Sequence, residues 1–410
     1  MTNISGQSHT GYRSIDATPL GDAAALASGD AITFDGNGGK EGRRGGTAGT
    51  GTLGFFGRDL GSSAPTQGRV PAFLGLAERT GGVYLERTGA NPPTVGEALH
   101  RTGLDFEVRK EALDFRPTAD MLVVGDDGAP TMERQETGNR VPMPGRWVAT
   151  VAYPRDGGEP WGIAPCSPRY TIIQNDRALE VGDALSEGTL RALGSFGNPT
   201  GSRVYAAWEL GDGMTIGGGD PYRNFVTLVT THDGSGTWGL LAPIRLGCTN
   251  QTNATFGRKA TPRFSIRHVG EAAFKLEEAR RILGLSRQYL DAMAEASEEL
   301  LATPMSKDRF VTYAKMVWNV DPAADLSKRS AGIVRVREEK LLEILASETC
   351  AFGEGTAYAG YQAVVEYLDF FGNVQGGETD ASRQARRQER IMAGELDAAK
   401  TKAWELAAAL

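Results

Sequence analysis

The 410-residue chain carries 44 lysines and arginines against 51 aspartates and glutamates, a formal net charge of −7. Its hydrophobic content of 40% and charged content of 23% are those of a globular protein with a core, and so mild an acid excess neither demands nor excludes a polyanionic partner. No run approaches 18 apolar residues, so no membrane span is expected, and three scattered cysteines (Cys166, Cys248, Cys350) make neither a disulfide framework nor a zinc set.

The first 16 residues, "MTNISGQSHTGYRSID", lack a basic cluster followed by an apolar core, which points to a cytoplasmic chain. The two glycosylation sequons at Asn250 and Asn253 are then idle. Residues 1–90 are rich in glycine and poor in branched apolar residues, and are expected to form an arm without its own order.

Order is expected from Thr94. "TVGEALHRTG" reads as a short helix with Thr94 as N-cap, Glu97 at the capping-box position and Gly103 as terminator. "LDFEVRKEAL" and "RWVATVAY" read as strands, Asp156-Gly157-Gly158 as a turn, and "PWGIAP" as the returning strand. "DRALEVGDALSEG" has helical spacing. "RALGSFG", "SRVYAAWEL", "NFVTLVTTHDGSG" and "TWGLLAPIRLG" follow as strands separated by glycine-rich turns. Past Ser265 the pattern turns helical, with Ser286, Ser306 and Ser327 as candidate caps, "TAYAGYQAVVEYLDFF" as a further helix and "ASRQARRQERIMAGELDAAKTKAWELAAAL" as one terminal helix. The expected class is α+β: a disordered glycine-rich arm (1–90), an antiparallel β-meander core with packed helices (91–265), and a mostly helical C-terminal region packed on it (266–410).

Enzyme motifs fail on context. "GTGTLG" at Gly49–Gly54 is a formal G-x-G-x-x-G with no strand before it and no helix after it. "GNGGKEG" lacks the first glycine and the hydroxyl residue of a phosphate loop, and no two of His9, His100, His232 and His268 stand four apart. His232-Asp233-Gly234-Ser235 reads as a hairpin turn in preference to a catalytic group. Cys248 reads as core packing in preference to a nucleophile. No catalytic residue, metal or cofactor is assigned.

The positive signal lies in "PIRLGCTNQTNATFGRKATPRFSIRH", Pro243–His268. From Arg245 onward it contains no carboxylate, yet it carries Arg245, Arg258, Lys259, Arg263 and Arg267. A charge run is often just a solvated loop between a strand and a helix. The alternative is a phosphate-binding surface. The five cations would meet phosphates, Asn250 and Asn253 would add polar contacts, and Phe256 or Phe264 would stack a base, with Trp238 close by in sequence. Arg267 and His268 would sit at the start of the next helix, where free N–H groups favour an anion. Arg383, Arg386, Arg387 and Arg390 form a second, weaker patch on the terminal helix.

The segments "GLDFEV" (103–108), "YTIIQN" (170–175), "GSFGNPTGSRVYAAWEL" (194–210), "TTHDGSG" (230–236), "PIRLGCTNQT" (243–252), "IRH" (266–268) and "AYAGYQAVVEYLDFF" (357–371) occur in an order that resembles the phage/plasmid-like protein family of unknown function, from about residue 90 to the end. The chain departs from the family's "C-x-N-T-L" with "CTNQT". This resemblance implies a phage or plasmid setting in a bacterial cytoplasm. A looser topological likeness, to single-strand annealing recombinases, implies single-stranded DNA as partner, homo-oligomeric rings or filaments, and strand annealing without nucleotide or metal. The rival expectations are a metal-dependent nuclease acting through Asp233 and other carboxylates, and a virion or assembly protein.

Overall fold

The computed structural model describes residues 31–33, 72–73, 76, 83–85, 94–115, 117–124, 130–139, 141–142, 147–186, 190–196, 201–211, 213–256, 261–267, 276–321, 326–375 and 379–410. Most of the expected arm lies outside these residues. The few residues of it that are described pair with or pack on the main sheet. Strand β1 (Ala31–Thr33) pairs with β2 (Val83–Leu85), and Phe73 is fully buried.

Helix α1 (Val95–Arg101) starts on the expected capping box. The Thr94 hydroxyl accepts from the Glu97 N–H at 3.2 Å, and the Glu97 carboxylate accepts from the Thr94 N–H at 2.8 Å. Gly103 ends it at φ 66°. Strand β3 (Phe106–Ala112) pairs with β8 (Val148–Pro154), which pairs with β9 (Trp161–Cys166) across a turn holding Gly157 at φ 83°. Two ribbons interrupt this sheet, and the sequence reading had not marked either: β4 (Asp114–Phe115) with β7 (Val141–Pro142), and β5 (Thr118–Val124) with β6 (Pro130–Glu136).

After α2 (Asn175–Ser186) comes the main sheet, antiparallel throughout. It contains β10 (Leu190–Phe196), β11 (Arg203–Glu209), β12 (Met214–Ile216), β13 (Asp220–Thr231), β14 (Gly236–Arg245) and β15 (Arg263–Arg267). The strand order is β1-β2-β10-β11-β13-β14-β15, with β12 hydrogen-bonded to β13. The central strands are buried on both faces, so they read as continuous apolar runs. One face packs on α1, α2 and the β3-β8-β9 sheet around Trp208, Val226 and Leu228; the other buries Tyr205, Phe225, Phe73 and Ile391. Strand β15 corrects the expectation of a loop running from Pro243 to a helix at Arg267.

The helical half follows: α3 (Leu276–Ala302), α4 (Lys307–Val317), α5 (Lys328–Leu345), α6 (Ala357–Glu366), α7 (Asp380–Met392) and α8 (Asp397–Ala408). Ser306 and Ser327 cap α4 and α5 as expected. Ser286 does not cap: it is buried inside α3. The single terminal helix is two, broken at Gly394 with φ 70°. The core of this half includes Ile216, Tyr222, Leu241 and Phe256 from the sheet side, so sheet and helices share one interior. Among the described residues no helix is long and apolar enough to cross a membrane.

Gly182 of α2 shows how close these layers lie. A Cβ there would overlap the indole ring of Trp208. Gly182→Ala should therefore destabilise the protein by about 1–3 kcal/mol. The expected reading is a lower urea midpoint with an unchanged slope; a midpoint equal to wild type would mean that α2 shifts freely over the sheet.

Candidate functional site

The strip expected to form one positive surface does not. Arg245 is 2% exposed, and Asn250, Asn253, Phe256 and Phe264 are all buried. Phe256 packs edge-on against Trp404, with ring centroids 4.7 Å apart, and beside Tyr289 at 5.4 Å. The Phe264 ring covers Gly239 on the neighbouring strand. Arg258, Lys259 and His268 lie outside the described residues. Arg267 closes β15 instead of opening a helix. Of the ten expected contacts, Arg263 is the one whose side chain is described at the surface, 53% exposed.

The buried part is a joint. The chain turns sharply after β14: the Arg245 N–H donates to the Asn250 carbonyl, the Thr249 N–H returns to the Arg245 carbonyl, and Thr249 sits at φ 61°. A β-branched residue in that region is strained, and here the packed surroundings hold it. The Arg245 guanidinium meets the Asp220 carboxylate at 2.6 Å and donates to the Thr349 carbonyl. The Tyr358 hydroxyl donates to Asp220 and pairs with the Tyr222 hydroxyl at 3.0 Å. Gln362 donates to Tyr222 at 2.9 Å and accepts from Asn250 at 3.2 Å. Burial alone would pull the Arg245 pKa down; the Asp220 carboxylate reverses this and holds it well above the usual value.

A second buried pair, Lys400–Asp369 at 2.7 Å, holds both backbone polar groups of Gln251: Asp369 accepts its N–H and Lys400 donates to its carbonyl. Burial raises the Asp369 pKa despite Lys400. The polar residues of the segment thus bond inward to α6 and α8, and the carboxylate that neutralises Arg245 comes from β13.

Other candidates resolve the same way. His232 is fully buried, with Nε2 2.8 Å from Asn175 Oδ1, and the Asp233 carboxylate accepts from the Ser235 N–H at 3.0 Å and from Arg203 at 2.8 Å. Burial would raise the Asp233 pKa, but those bonds outweigh it and leave it lowered. The residues form a turn, with Gly234 at φ 84°. Burial pushes the Cys248 thiol far above its ordinary value and the Cys350 thiol up to about 12, so neither presents a thiolate. Among the described residues no three His, Cys, Asp or Glu side chains converge as metal ligands.

Other cations gather elsewhere: Arg386 is exposed, Arg383 and Arg390 are partly so, and Arg387 is half-buried with its Nε–H donated to the Gly372 carbonyl at 2.7 Å. Arg383, Arg386, Arg387 and Arg390 follow helical spacing along α7, opposite the buried Gln388, Ile391 and Met392. Beside this stripe opens a cleft of about 510 Å³, lined by Phe196 and Val374, by Arg386, Arg390 and, from β11, Arg203, and by the carboxylates Glu389 and Glu395. The Arg263 side chain lies over Gly394, one turn beyond Arg390. The half-buried Trp238 donates to the Met392 carbonyl at 3.2 Å. The one strip cation described at the surface therefore joins the patch that the sequence ranked second. Arg390 is bonded to Glu395 at 3.1 Å, Arg263 to Asp397 at 3.5 Å and Arg383 to Asp380. Arg386 is exposed, and none of the ion pairs among the described residues includes it. Its four-residue spacing from Arg390 was legible; Arg203, about 180 positions upstream, carried no local signal.

Asp220→Ala should leave a buried guanidinium without its carboxylate and destabilise the fold by about 3–5 kcal/mol. A normal urea midpoint would overturn the structural role assigned to Arg245.

No curated protein and no solved structure matches the chain. A family model described as a domain of unknown function (DUF932) matches residues 163–393, from within β9 to the end of α7, more than half of the chain. That span contains the main sheet from β10 to β15, the Arg245 joint and the arginine stripe of α7, and the chain is a member of the DUF932 family.

Proposed function

We propose that the protein binds single-stranded nucleic acid as part of phage-type DNA metabolism, and that it promotes strand annealing without nucleotide or metal. The observation that carries this reading is the arginine stripe of α7, extended by Arg263 and joined in the cleft lining by Arg203, which is itself paired with Asp233. Guanidinium groups spaced along one helix face suit successive phosphates, which they can grip two oxygens at a time. Arg386, which no ion pair among the described residues includes, offers a phosphate its charge.

The other pairs are partly exposed: Arg390 and Glu395 by 38% and 56%, Arg263 and Asp397 by 53% and 20%. Exposed pairs of this kind are each worth about 0–1 kcal/mol, so a phosphate can take over the arginine at little expense. The half-buried Trp238 beside Met392 supplies a partly apolar edge against which a base can rest. Annealing requires backbone charge to be screened while bases stay accessible, and a groove of arginines does this without a catalytic group. The phage setting rests on the ordered sequence resemblance.

Binding of a fluorescent oligonucleotide, measured over a range of salt concentrations, tests the reading. Log affinity should fall with log salt by about 0.7 for each phosphate contacted. Replacing Arg263, Arg386 and Arg390 together with alanine should make the slope shallower by about 2, roughly 0.7 for each arginine lost. A wild-type protein that does not bind, or a triple variant with an unchanged slope, would remove these residues from the proposed interface.

A further inference from the structure

The ribbon of β5 and β6 belongs to none of the hydrophobic cores formed by the described residues. All but one of its paired positions are exposed, and the exposed set includes Leu122 (66%), Val124 (64%), Met132 (65%) and Met121 (45%). Its register places Leu122 opposite Met132 and Val124 opposite Pro130, so one face of its distal half is apolar. Neither strand pairs with a third strand among the described residues. A lone two-stranded ribbon is at best marginally stable in water; three or more strands are normally needed. An uncovered apolar edge of this length is also a template for strand addition.

Charge narrows the partner. From Thr118 to Glu136 the chain has five carboxylates (Asp120, Asp126, Asp127, Glu133, Glu136) against Arg134 alone. Such an element repels a phosphate backbone or an anionic bilayer. The two edges differ in what they can accept. On β6, self-pairing over the full strand would set Glu133 against Glu133 of its copy, and Pro130 has no N–H to give. On β5, antiparallel self-pairing about Met121 sets Thr118 against Val124, Ala119 against Val123 and Asp120 against Leu122. No like charges stand directly opposite, the two Asp120 residues being diagonal neighbours that each keep Arg134 of their own ribbon, and the strand contains no proline.

The backbone is in phase for this. Pro117 accepts the Thr137 N–H at 2.7 Å, and the alternation of an antiparallel ladder then turns the backbone groups of Ala119, Met121 and Val123 toward β6. Those of Thr118, Asp120, Leu122 and Val124 face the open edge, in a pattern that a two-fold axis at Met121 maps onto itself.

We infer that the β5 edge is a self-association surface: two copies join β5 to β5 about a two-fold axis at Met121, forming a continuous four-stranded sheet ordered β6-β5-β5-β6. A two-fold contact of this kind closes on itself and uses the same patch on both copies. It gathers Leu122, Val124 and Met132 of both copies on one face. The inference is independent of nucleic-acid binding and of the arginine cleft.

The full-length protein tests it. Light scattering after gel filtration should give twice the 43.7 kDa chain mass at micromolar concentration. Met121→Lys and Met121→Glu each place like charges on the axis, and each should run at the single-chain mass with a wild-type circular dichroism spectrum. Mixing the two variants should restore the doubled mass. Across a pair that is not hydrogen-bonded the Cα atoms lie about 4.5 Å apart, within disulfide reach, so Met121→Cys should cross-link to its copy under mild oxidation. Thr131→Cys on β6 should not, and the native cysteines are all buried. A wild-type monomer, a dimer that survives Met121→Lys, or equal cross-linking at both positions would overturn the inference.

Discussion

The ion pair between Arg245 and Asp220 is the constraint on which the arrangement of the two halves depends. Both groups belong to the main sheet, yet the hydrogen bonds that complete them, from Tyr358 and to the Thr349 carbonyl, come from the helical half. A buried charge is tolerable only when paired and fully hydrogen-bonded. The sheet therefore reaches its stable state only with the segments carrying Thr349 and Tyr358 docked against it. Lys400 and Asp369 repeat the device one layer further along, with the Gln251 backbone between them. Asparagines, threonines and glutamine in "CTNQTNATF" are thus the polar filling of a joint.

That joint also positions the exposed surface. Docking of α8 places the turn at Gly394 beneath the Arg263 side chain, and Trp238 of β14 holds the last turn of α7 through the Met392 carbonyl. The arginine stripe is therefore carried on a helix fixed at two points to the sheet, and its spacing does not depend on a loop. Charged groups on a rigid element lose less freedom when they bind than the same groups on a mobile segment. Burial on one side and charge on the other follow from one helical period.

The β5–β6 ribbon lies outside the stretch that matches the family model, which starts in β9. Strands β10 to β15 of the main sheet, the Arg245 joint and the arginine stripe fall inside it. The ribbon lies on the connection between β3 and β8 and is acidic where the α7 stripe is basic. An acidic ribbon that pairs with its own copy would leave the arginine face of each copy open.

Much of the fold was legible because local rules and tertiary packing agreed. Thr94, Glu97 and Gly103 delimit α1 by backbone chemistry alone, Asp-Gly turns delimit the strands, and the continuous apolar runs of β10 to β14 announce a buried sheet. The site was legible only in part. Periodicity along α7 could be read directly, since residues three and four apart share a helix face. The fate of Arg245 could not, because its partner Asp220 stands 25 positions away and meets it only through pairing of β13 with β14. Charge in a sequence is counted along the chain, whereas a guanidinium responds to the nearest carboxylate in space; composition could say how many cations the segment held, and only the tertiary structure decided that Arg245 faces inward while Arg263 and Arg386 reach the surface.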